Sequence, residues 1–461
     1  MRARRGWLAR KSDDSVAPFA YVSPMTTSIT HGQVFRIAWP IILANAAVPL
    51  LGIVDTAVIG HQGSAAALGA IAIGALVMNF IYWGFGFLRM GTTGISAQAL
   101  GAGDDAELGA TVGRAIIIAG IVGSLLLLLQ VPLSLMIFNI FQGTEEVETA
   151  AKTYFSIRIW GAPAALFGFA ALGWFIGVQH SGYVLALQIL LNGLNAVLDI
   201  WFVVGLDLGV AGVAYGTVIA EWTMACAASF LILREFRRRG LKLDLTRLKA
   251  AAPMIKMVAI NRDIFIRTLA LVGGFALFNW ESTRMGDVTL AGNFILLQFI
   301  SFGAFFLDGF AFAVEALVGE AVGARNPARL REAVIKSTQW ALGTSMMLAL
   351  LTWTLGPYVI VALTNVPEVQ AAAIAFLAFA AIYPLIGVWP FQFDGIFIGA
   401  TRGADMRNAM LMSFGTFVIA WYVLTPLFGN IGLWIAFLIF LSARAITLGL
   451  RYPRLAREAA A

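Results

Sequence analysis

Two carboxylates stand in this chain where carboxylates are expensive. Asp55 is the only charge in the run 37–59, IAWPIILANAAVPLLGIVDTAVI, and Asp199 is the only charge in the run 183–206, YVLALQILLNGLNAVLDIWFVVGL. Each run is long enough to cross a bilayer, which takes about 20 apolar residues. An ionisable group there costs on the order of 3 kcal/mol on insertion scales, and groups kept at that cost commonly serve an ion or proton path. The plain alternative is a carboxyl held neutral or hydrogen-bonded for packing. Asn195 stands four residues before Asp199, so amide and carboxylate share a helix face. Such a face suits a proton or Na⁺. Pro40 and Pro49 share the run of Asp55. A proline inside a helix removes a backbone bond and can bend it, so a change of charge at Asp55 would be felt at Pro49; simple tolerance of proline in a membrane helix is the other reading.

The elements that must position these groups follow from composition. The chain has 461 residues, 60% hydrophobic and 12% charged, against about 25% charged in soluble domains. The expected fold is an all-α membrane protein; a β-barrel would show short alternating segments. Twelve spans are expected, at roughly 34–60, 66–100, 107–140, 147–179, 183–204 and 210–235, then 257–283, 288–322, 329–362, 369–401, 406–428 and 430–452. The net charge of +6 does not point to nucleic acid. Its basic residues gather between apolar runs: Arg234, Arg237, Arg238, Arg239, Lys242, Arg247, Lys249 and Lys256 after span six, Arg325, Arg329 and Arg331 after span eight, and Arg451, Arg454 and Arg457 last. Glu145, Glu146, Glu148, Asp207, Asp287 and Glu368 occupy the alternate connections. The positive-inside rule then places both termini in the cytoplasm, and both Asp55 and Asp199 in the outer half of the membrane. One cysteine, Cys226, and three scattered histidines, His31, His61 and His180, offer no disulfide framework and no metal set. No HExxH, CxxC, GxSxG or P-loop is present, so an enzyme is not expected, nor a cofactor. Residues 1–30 lack an apolar signal core and read as a disordered cytoplasmic tail. Met25 is an alternative start, which N-terminal sequencing would decide.

The halves repeat. Gly101-Ala102-Gly103 answers Gly323-Ala324-Arg325, an offset of 222 residues (323 − 101), and Phe175-Ile176-Gly177 answers Phe397-Ile398-Gly399 at the same offset (399 − 177). The expected division is an N-lobe at 31–235, a basic cytoplasmic linker at 236–256, a C-lobe at 257–452 and a tail at 453–461. Two six-helix lobes would then be related by a pseudo-two-fold axis along the membrane normal, as in transporters that rock around a central site. The charges do not repeat. Asp55 maps to Leu277, Asp199 to Trp421, and Asp394 back to Leu172. The second half carries its own acids, Asp308, Glu315 and Asp394. These could attract a cationic substrate, or pair with Arg325 or other loop arginines. Arg158 is expected to reach the outer interface, or otherwise to pair with Asp55 or Asp199.

Several motifs together resemble the multidrug and toxic compound extrusion (MATE) family over essentially all twelve spans. They are Ala38-Trp39-Pro40, Ile53-Val54-Asp55-Thr56, Gly101-Ala102-Gly103-Asp104 and Asn195-x-x-Leu198-Asp199. The run from Phe306 to Gly319, FLDGFAFAVEALVG, looks like the DNA-damage-inducible F (DinF) subfamily. The resemblance implies a secondary antiporter of the plasma (inner) membrane, exporting amphipathic organic cations against inward H⁺, or alternatively Na⁺. It implies ion coupling at Asp55, Asp199 and Asn195, all three open to Na⁺ if that is the ion. Asp394 matches a second-lobe acid used for Na⁺ in the norfloxacin-exporting (NorM) branch, but the glutamate of that branch's seventh span is Leu271 here. H⁺ coupling at the first lobe is therefore expected. Phe278, Asn279, Trp280 and Gln298 could line the drug cavity, or pack and face lipid. Expected partners are the substrate and membrane lipids, with a monomeric chain.

Two rivals remain open. A lipid-linked oligosaccharide flippase of the same superfamily should line its cavity with basic residues for a pyrophosphate. The apolar runs are read as holding few, mainly Arg114 and Arg158. A channel would need a repeated filter element, and none is visible.

Overall fold

The structure, a computed structural model, describes residues 28–60, 65–139 and 144–459, without the side chains of 48–57, 59, 60, 65 and 66. Met25 and the side chains of Pro49 and Asp55 thus lie outside the described residues.

In a bilayer core every backbone N–H and C=O must be paired within the protein, which leaves helices as the solution for these apolar runs. The first lobe is built from α1 (His31–Gly60), α2 (Ala65–Gly84), α3 (Phe87–Gly101), α4 (Asp105–Leu128), α5 (Gln130–Phe138), α6 (Glu145–Arg158), α7 (Ala162–Gly177), α8 (Ser181–Asp199) and α9 (Gly209–Arg239). The pairs α2/α3, α4/α5 and α6/α7 each make one interrupted rod. A 3₁₀ turn, Ile159–Gly161, joins α6 to α7, and a π turn, Ile200–Gly205, ends the fifth rod after α8. After the short α10 (Leu245–Leu248) the second lobe follows: α11 (Ala251–Arg284), α12 (Asp287–Gly323), α13 (Pro327–Leu363), α14 (Pro367–Gly399), α15 (Gly403–Phe428), α16 (Asn430–Gly449) and a terminal α17 (Tyr452–Glu458). Besides α1, itself 30 residues long, eleven rods among the described residues are long and apolar enough to cross a membrane. The chain is a twelve-span, two-lobe helical membrane protein. α1 runs unbroken through Pro40 and Pro49.

The repeat is written into the loops at one end, called here the basic end. Gly103 and Arg325 both take positive φ (66° and 49°), as do Gln179 and Thr401 (62° and 55°). Asp104 caps α4 through the Glu107 N–H (3.0 Å), and Asn326 caps α13 through the Arg329 N–H (3.1 Å). All these pairs stand 222 apart (325 − 103, 401 − 179, 326 − 104).

The lobes meet toward this end by backbone contact. A Cβ on Gly101 would lie 1.9 Å from the Glu320 carbonyl oxygen, and one on Gly323 would lie 2.0 Å from that of Gln98. The two contacts are the same contact seen through the pseudo-two-fold (323 − 101 and 320 − 98 are both 222). Gln98 donates across the interface to the Gly399 carbonyl (2.8 Å) and Thr401 Oγ1 (3.2 Å); Gln179 donates to Glu320 Oε2 (2.6 Å). Higher up, α1 packs on α12 where Gly309 faces Ala38 and Ile42, and α11 packs on α3 where Gly91 faces Ile260 and Asn261. The segment before α1 straps onto α13: the Ile29 N–H donates to Glu332 (2.7 Å) and its carbonyl accepts from Lys336. Among the described residues, the hydrogen bonds, ion pairs and ring contacts between lobes all fall in the half toward this end.

α12 shows what that leaves open. One face carries Phe294, Gln298, Ser301, Phe305, Asp308, Phe312, Glu315 and Gly319. The first three are exposed, the middle three half-buried, and the last two buried. Its lower part touches the first lobe, through Phe312 and Glu315 against Arg89 and Gly319 against Ala97. Among the described residues its upper part has no such neighbour, and this stripe of α12 is called here the cleft face.

The linker is clasped to the first lobe. Arg247 donates to Asp104 Oδ2 at 2.6 Å, and buried Arg114 pairs with Glu107. Burial pushes the Asp104 carboxyl up, but the Glu107 N–H and the Arg247 guanidinium pull it down by more, so it sits below the usual aspartate value. A depressed carboxylate adds stability above its unfolded pKa, and loses it as pH falls through the folded value. Asp104→Ala should therefore lower stability by about 0.5–2 kcal/mol at pH 7, and the gap should shrink on acidification, read as thermal melting in detergent. Gly101→Ala and Gly323→Ala should each cost about 1–3 kcal/mol by overpacking. Gly120→Ala, where nothing lies within 4 Å of the new Cβ, should cost nothing in the same melts.

Candidate functional site

Asp199 is the last residue of α8, where the helix widens into the π turn. Such turns inside helices are frequent at functional sites. Asp199 and Asn195 are both fully buried. The Asn195 amide donates to Asp199 Oδ1 (3.1 Å) and to Thr217 Oγ1 (3.1 Å) on α9, and Thr217 in turn donates to the Val213 carbonyl (2.9 Å). Gly216 makes room for the group, because a Cβ there would sit 2.2 Å from Asp199 Oδ1. Asn195 Oδ1 is buried with no hydrogen-bond partner among the described residues. The expected helix-face pair is thus present, with Thr217 as a third polar group that the sequence reading missed. Threonine is unremarkable in a membrane helix, so only packing of α8 on α9 could reveal it.

One turn further along α9 lies Glu221, buried against Arg158 of α6 in a two-point pair (2.9 and 3.1 Å). Arg158 was expected at the outer interface; instead it is drawn inward, because a carboxylate on a neighbouring helix compensates it. Gly161, in the 3₁₀ turn, is what lets Glu221 approach: a Cβ there would lie 1.9 Å from Glu221 Oε2. The signal for Glu221 was available. It is the only charge between Asp207 and Arg234, the same test that singled out Asp55 and Asp199.

The second lobe carries a different cluster. Asp394 on α14 accepts from Arg267 on α11 and from Arg444 on α16 (2.8 Å). Its partners are therefore arginines of the spans, not loop arginines such as Arg325. Asp308 lies within electrostatic reach of Arg89, Arg267, Arg444 and Asp394. Glu315 is fully buried, 3.7 Å from Arg89. Three buried or nearly buried arginines, Arg89, Arg267 and Arg444, thus face three acids. The reading that the apolar runs hold few bases beyond Arg114 and Arg158 is corrected here. The signal was available for two of them: Arg89 is the only charge in 56–103 and Arg444 the only one in 408–450, whereas Arg267 stands close after Arg262 and Asp263.

The four residues considered for a cavity are dispersed. Phe278 is in the aromatic core of the second lobe, 4.9 Å from Trp434 and 5.0 Å from Phe437 by ring centroids. Asn279 donates to the carbonyl of Phe275. Trp280 is exposed, edge-on to Trp421 and capped by the Arg284 guanidinium at 4.9 Å. Gln298 lies on the open stretch of the α12 cleft face. Pro40 is buried within α1.

A two-lobe helical bundle with buried, unevenly distributed charges defines a multi-pass membrane protein. The comparisons identify which. The chain belongs to the MatE family, whose family model matches residues 40–201 and 264–426, one segment in each half. It is 36% identical over 420 residues to "DNA damage-inducible protein F" of Escherichia coli K12, covering 91% of both chains. It is 27% identical to the "Probable multidrug resistance protein NorM" of Xanthomonas campestris, covering 92% of this chain and 93% of that one. The fold matches the Vibrio cholerae MATE transporter VcmN in its bent form (TM-score 0.84, 18% identity, 93% and 97% covered). It equally matches a MOP superfamily transporter of Pyrococcus furiosus described as having a binding pocket of reverse polarity (TM-score 0.84, 18% identity, 92% and 96% covered).

Breaking a buried ion pair strands a charge and costs about 3–5 kcal/mol, whereas replacing both partners is far cheaper. Arg158→Met and Glu221→Met should each destabilise the purified protein by about that amount. The double variant should recover most of the loss in the same thermal-melting assay.

Proposed function

We propose that this transporter is a proton-driven antiporter that exports amphipathic organic cations from the cytoplasm. It would sit in the plasma (inner) membrane with both termini cytoplasmic, so the basic end faces inward and a cleft along the α12 face opens outward. The observation that carries this reading is the Asn195–Asp199–Thr217 group, a buried carboxylate and its hydrogen-bond partners set at a π turn. Asp55, which ends the neighbouring α1, is its intended companion. A proton arriving from the outer side neutralises Asp199, and the packing of α8 on α9 and α1 responds. Each charge crossing the membrane contributes about 2.3 kcal/mol per 100 mV, enough to bias a two-state rocker separated by a few kcal/mol. The names of the relatives, DNA damage-inducible protein F and a probable multidrug resistance protein, support export of foreign compounds.

Two arrangements favour H⁺ over Na⁺. At the first lobe an amide N–H₂ already faces both the Asp199 carboxylate and the Thr217 hydroxyl; Na⁺ would need that amide turned to offer its oxygen. At the second lobe, the acid matched to a Na⁺ position, Asp394, is held by the guanidinium groups of Arg267 and Arg444, which fill a cation's place. The flippase reading gains from the three arginines of the interior, but a pyrophosphate needs free ones, and here each faces a carboxylate.

In proteoliposomes, efflux of ethidium should follow an imposed pH gradient and not a Na⁺ gradient. Asp199→Asn and Asp55→Asn should abolish it, and Thr217→Ala, which removes the hydroxyl that accepts from the Asn195 amide, should slow it about tenfold, the worth of roughly one hydrogen bond. Efflux on Na⁺ alone would reverse the ion assignment. No efflux from folded protein under either gradient would shift the weight to lipid export.

A further inference from the structure

On the cleft face of α12, Phe312 and Glu315 form a cation-binding pair that is already occupied. The Arg89 guanidinium lies 3.8 Å from the centre of the Phe312 ring, and its Nη1 is 3.7 Å from Glu315 Oε2. An aromatic face with a carboxylate beside it is the arrangement that recognises organic ammonium and guanidinium groups. The occupant comes from the other lobe, since Arg89 is on α3 and the pair is on α12. The fit is also incomplete. At 3.7 Å the contact is longer than a hydrogen bond, and the Thr93 hydroxyl beside Glu315 is already donated to the Arg89 carbonyl (2.9 Å), so neither Glu315 oxygen closes a well-formed hydrogen bond among the described residues. A buried carboxylate left in that condition is costly, and ordinary structural ion pairs here, such as Arg158–Glu221, do close to hydrogen-bond distance. Arg267 and Arg444 do not relieve it, because both are bound to Asp394.

We propose that Phe312 and Glu315 bind the ammonium or other organic-cation group of the substrate when the lobes part at the basic end, and that Arg89 is a tethered competitor for the same place. This rests on the antiporter reading above. Opening the basic end separates α3 from α12 and withdraws Arg89, leaving ring and carboxylate to a cation from that side. When the lobes close again, the guanidinium returns between ring and carboxylate and displaces the cargo toward the half-buried Asp308 and the open Gln298, up the same helix face. Arg89 thereby couples lobe closure to release.

The test is equilibrium binding of tetraphenylphosphonium to the purified full-length protein, with its efflux from proteoliposomes measured alongside. Removing a competitor that holds the site most of the time raises the apparent affinity by the inverse of the free fraction, about tenfold for a site free about a tenth of the time. Arg89→Gln should therefore bind tetraphenylphosphonium about tenfold tighter while exporting it more slowly. Arg89→Lys, which keeps the charge but not the planar stack, should tighten it less. Glu315→Gln should weaken binding, and Arg89→Gln combined with Glu315→Gln should bind no tighter than Glu315→Gln alone. Gel filtration verifies that each variant is folded, and Arg89→Lys serves if Arg89→Gln is not. Unchanged or weaker binding in folded Arg89 variants, with wild-type export intact, overturns this inference and leaves the antiporter standing. Absence of both binding and export in the wild type overturns the two together.

Discussion

The two lobes touch backbone to backbone, and the rest of the arrangement depends on that contact. Between lipid-soluble helices there is little hydrophobic gain from association, so close packing and hydrogen bonds must hold them. Gly101 against the Glu320 carbonyl and Gly323 against that of Gln98 are such contacts, repeated by the pseudo-two-fold. Both lie near one end, and Gln98 and Gln179 add hydrogen bonds at the same level, so the described contacts pin the lobes together there.

The interior charges follow a second rule, that a charge on a membrane helix must find its compensation inside the protein. Arg158 and Glu221 compensate one another within the first lobe; Asp394 takes two arginines within the second. Each of these pairs lies within one lobe. Arg89 and Glu315 differ, since their helices belong to opposite lobes. Theirs is a compensation made across the interface, and it depends on how the two lobes sit together. Asp199 accepts a hydrogen bond from the Asn195 amide, a neutral donor where Glu221 and Asp394 take guanidinium groups. The same chemical problem, a carboxylate in a low-dielectric interior, is thus answered in three ways in one chain.

Local backbone geometry shows where the helices yield. The 3₁₀ turn after Arg158 and the π turn after Asp199 both adjoin buried polar groups of the first lobe. Glycines 161 and 216 admit the carboxylates of Glu221 and Asp199 to distances no other residue would allow. An alternative helix hydrogen-bond pattern in each place gives the neighbouring side chain a way to shift without unfolding the span.

Apolar run length and charge alternation determined the membrane class and the helical spans, because a bilayer leaves one way to satisfy the backbone. The 222-residue offset was legible too, and with it the two lobes, since glycine is required wherever backbones touch, and the same touches recur in both halves. Solitary charges in apolar runs marked Asp199, and the same test applied to α9 would have found Glu221. Partnership was not legible. Asn195 with Thr217, Arg158 with Glu221, Arg267 and Arg444 with Asp394, and Arg89 with Phe312 and Glu315 stand 22 to 226 residues apart in sequence (217 − 195 and 315 − 89 bound them). Nothing in a solitary arginine says which carboxylate it will meet. Helix packing decides that, and with it whether a costly charge is a strut within one lobe or a contact between the two.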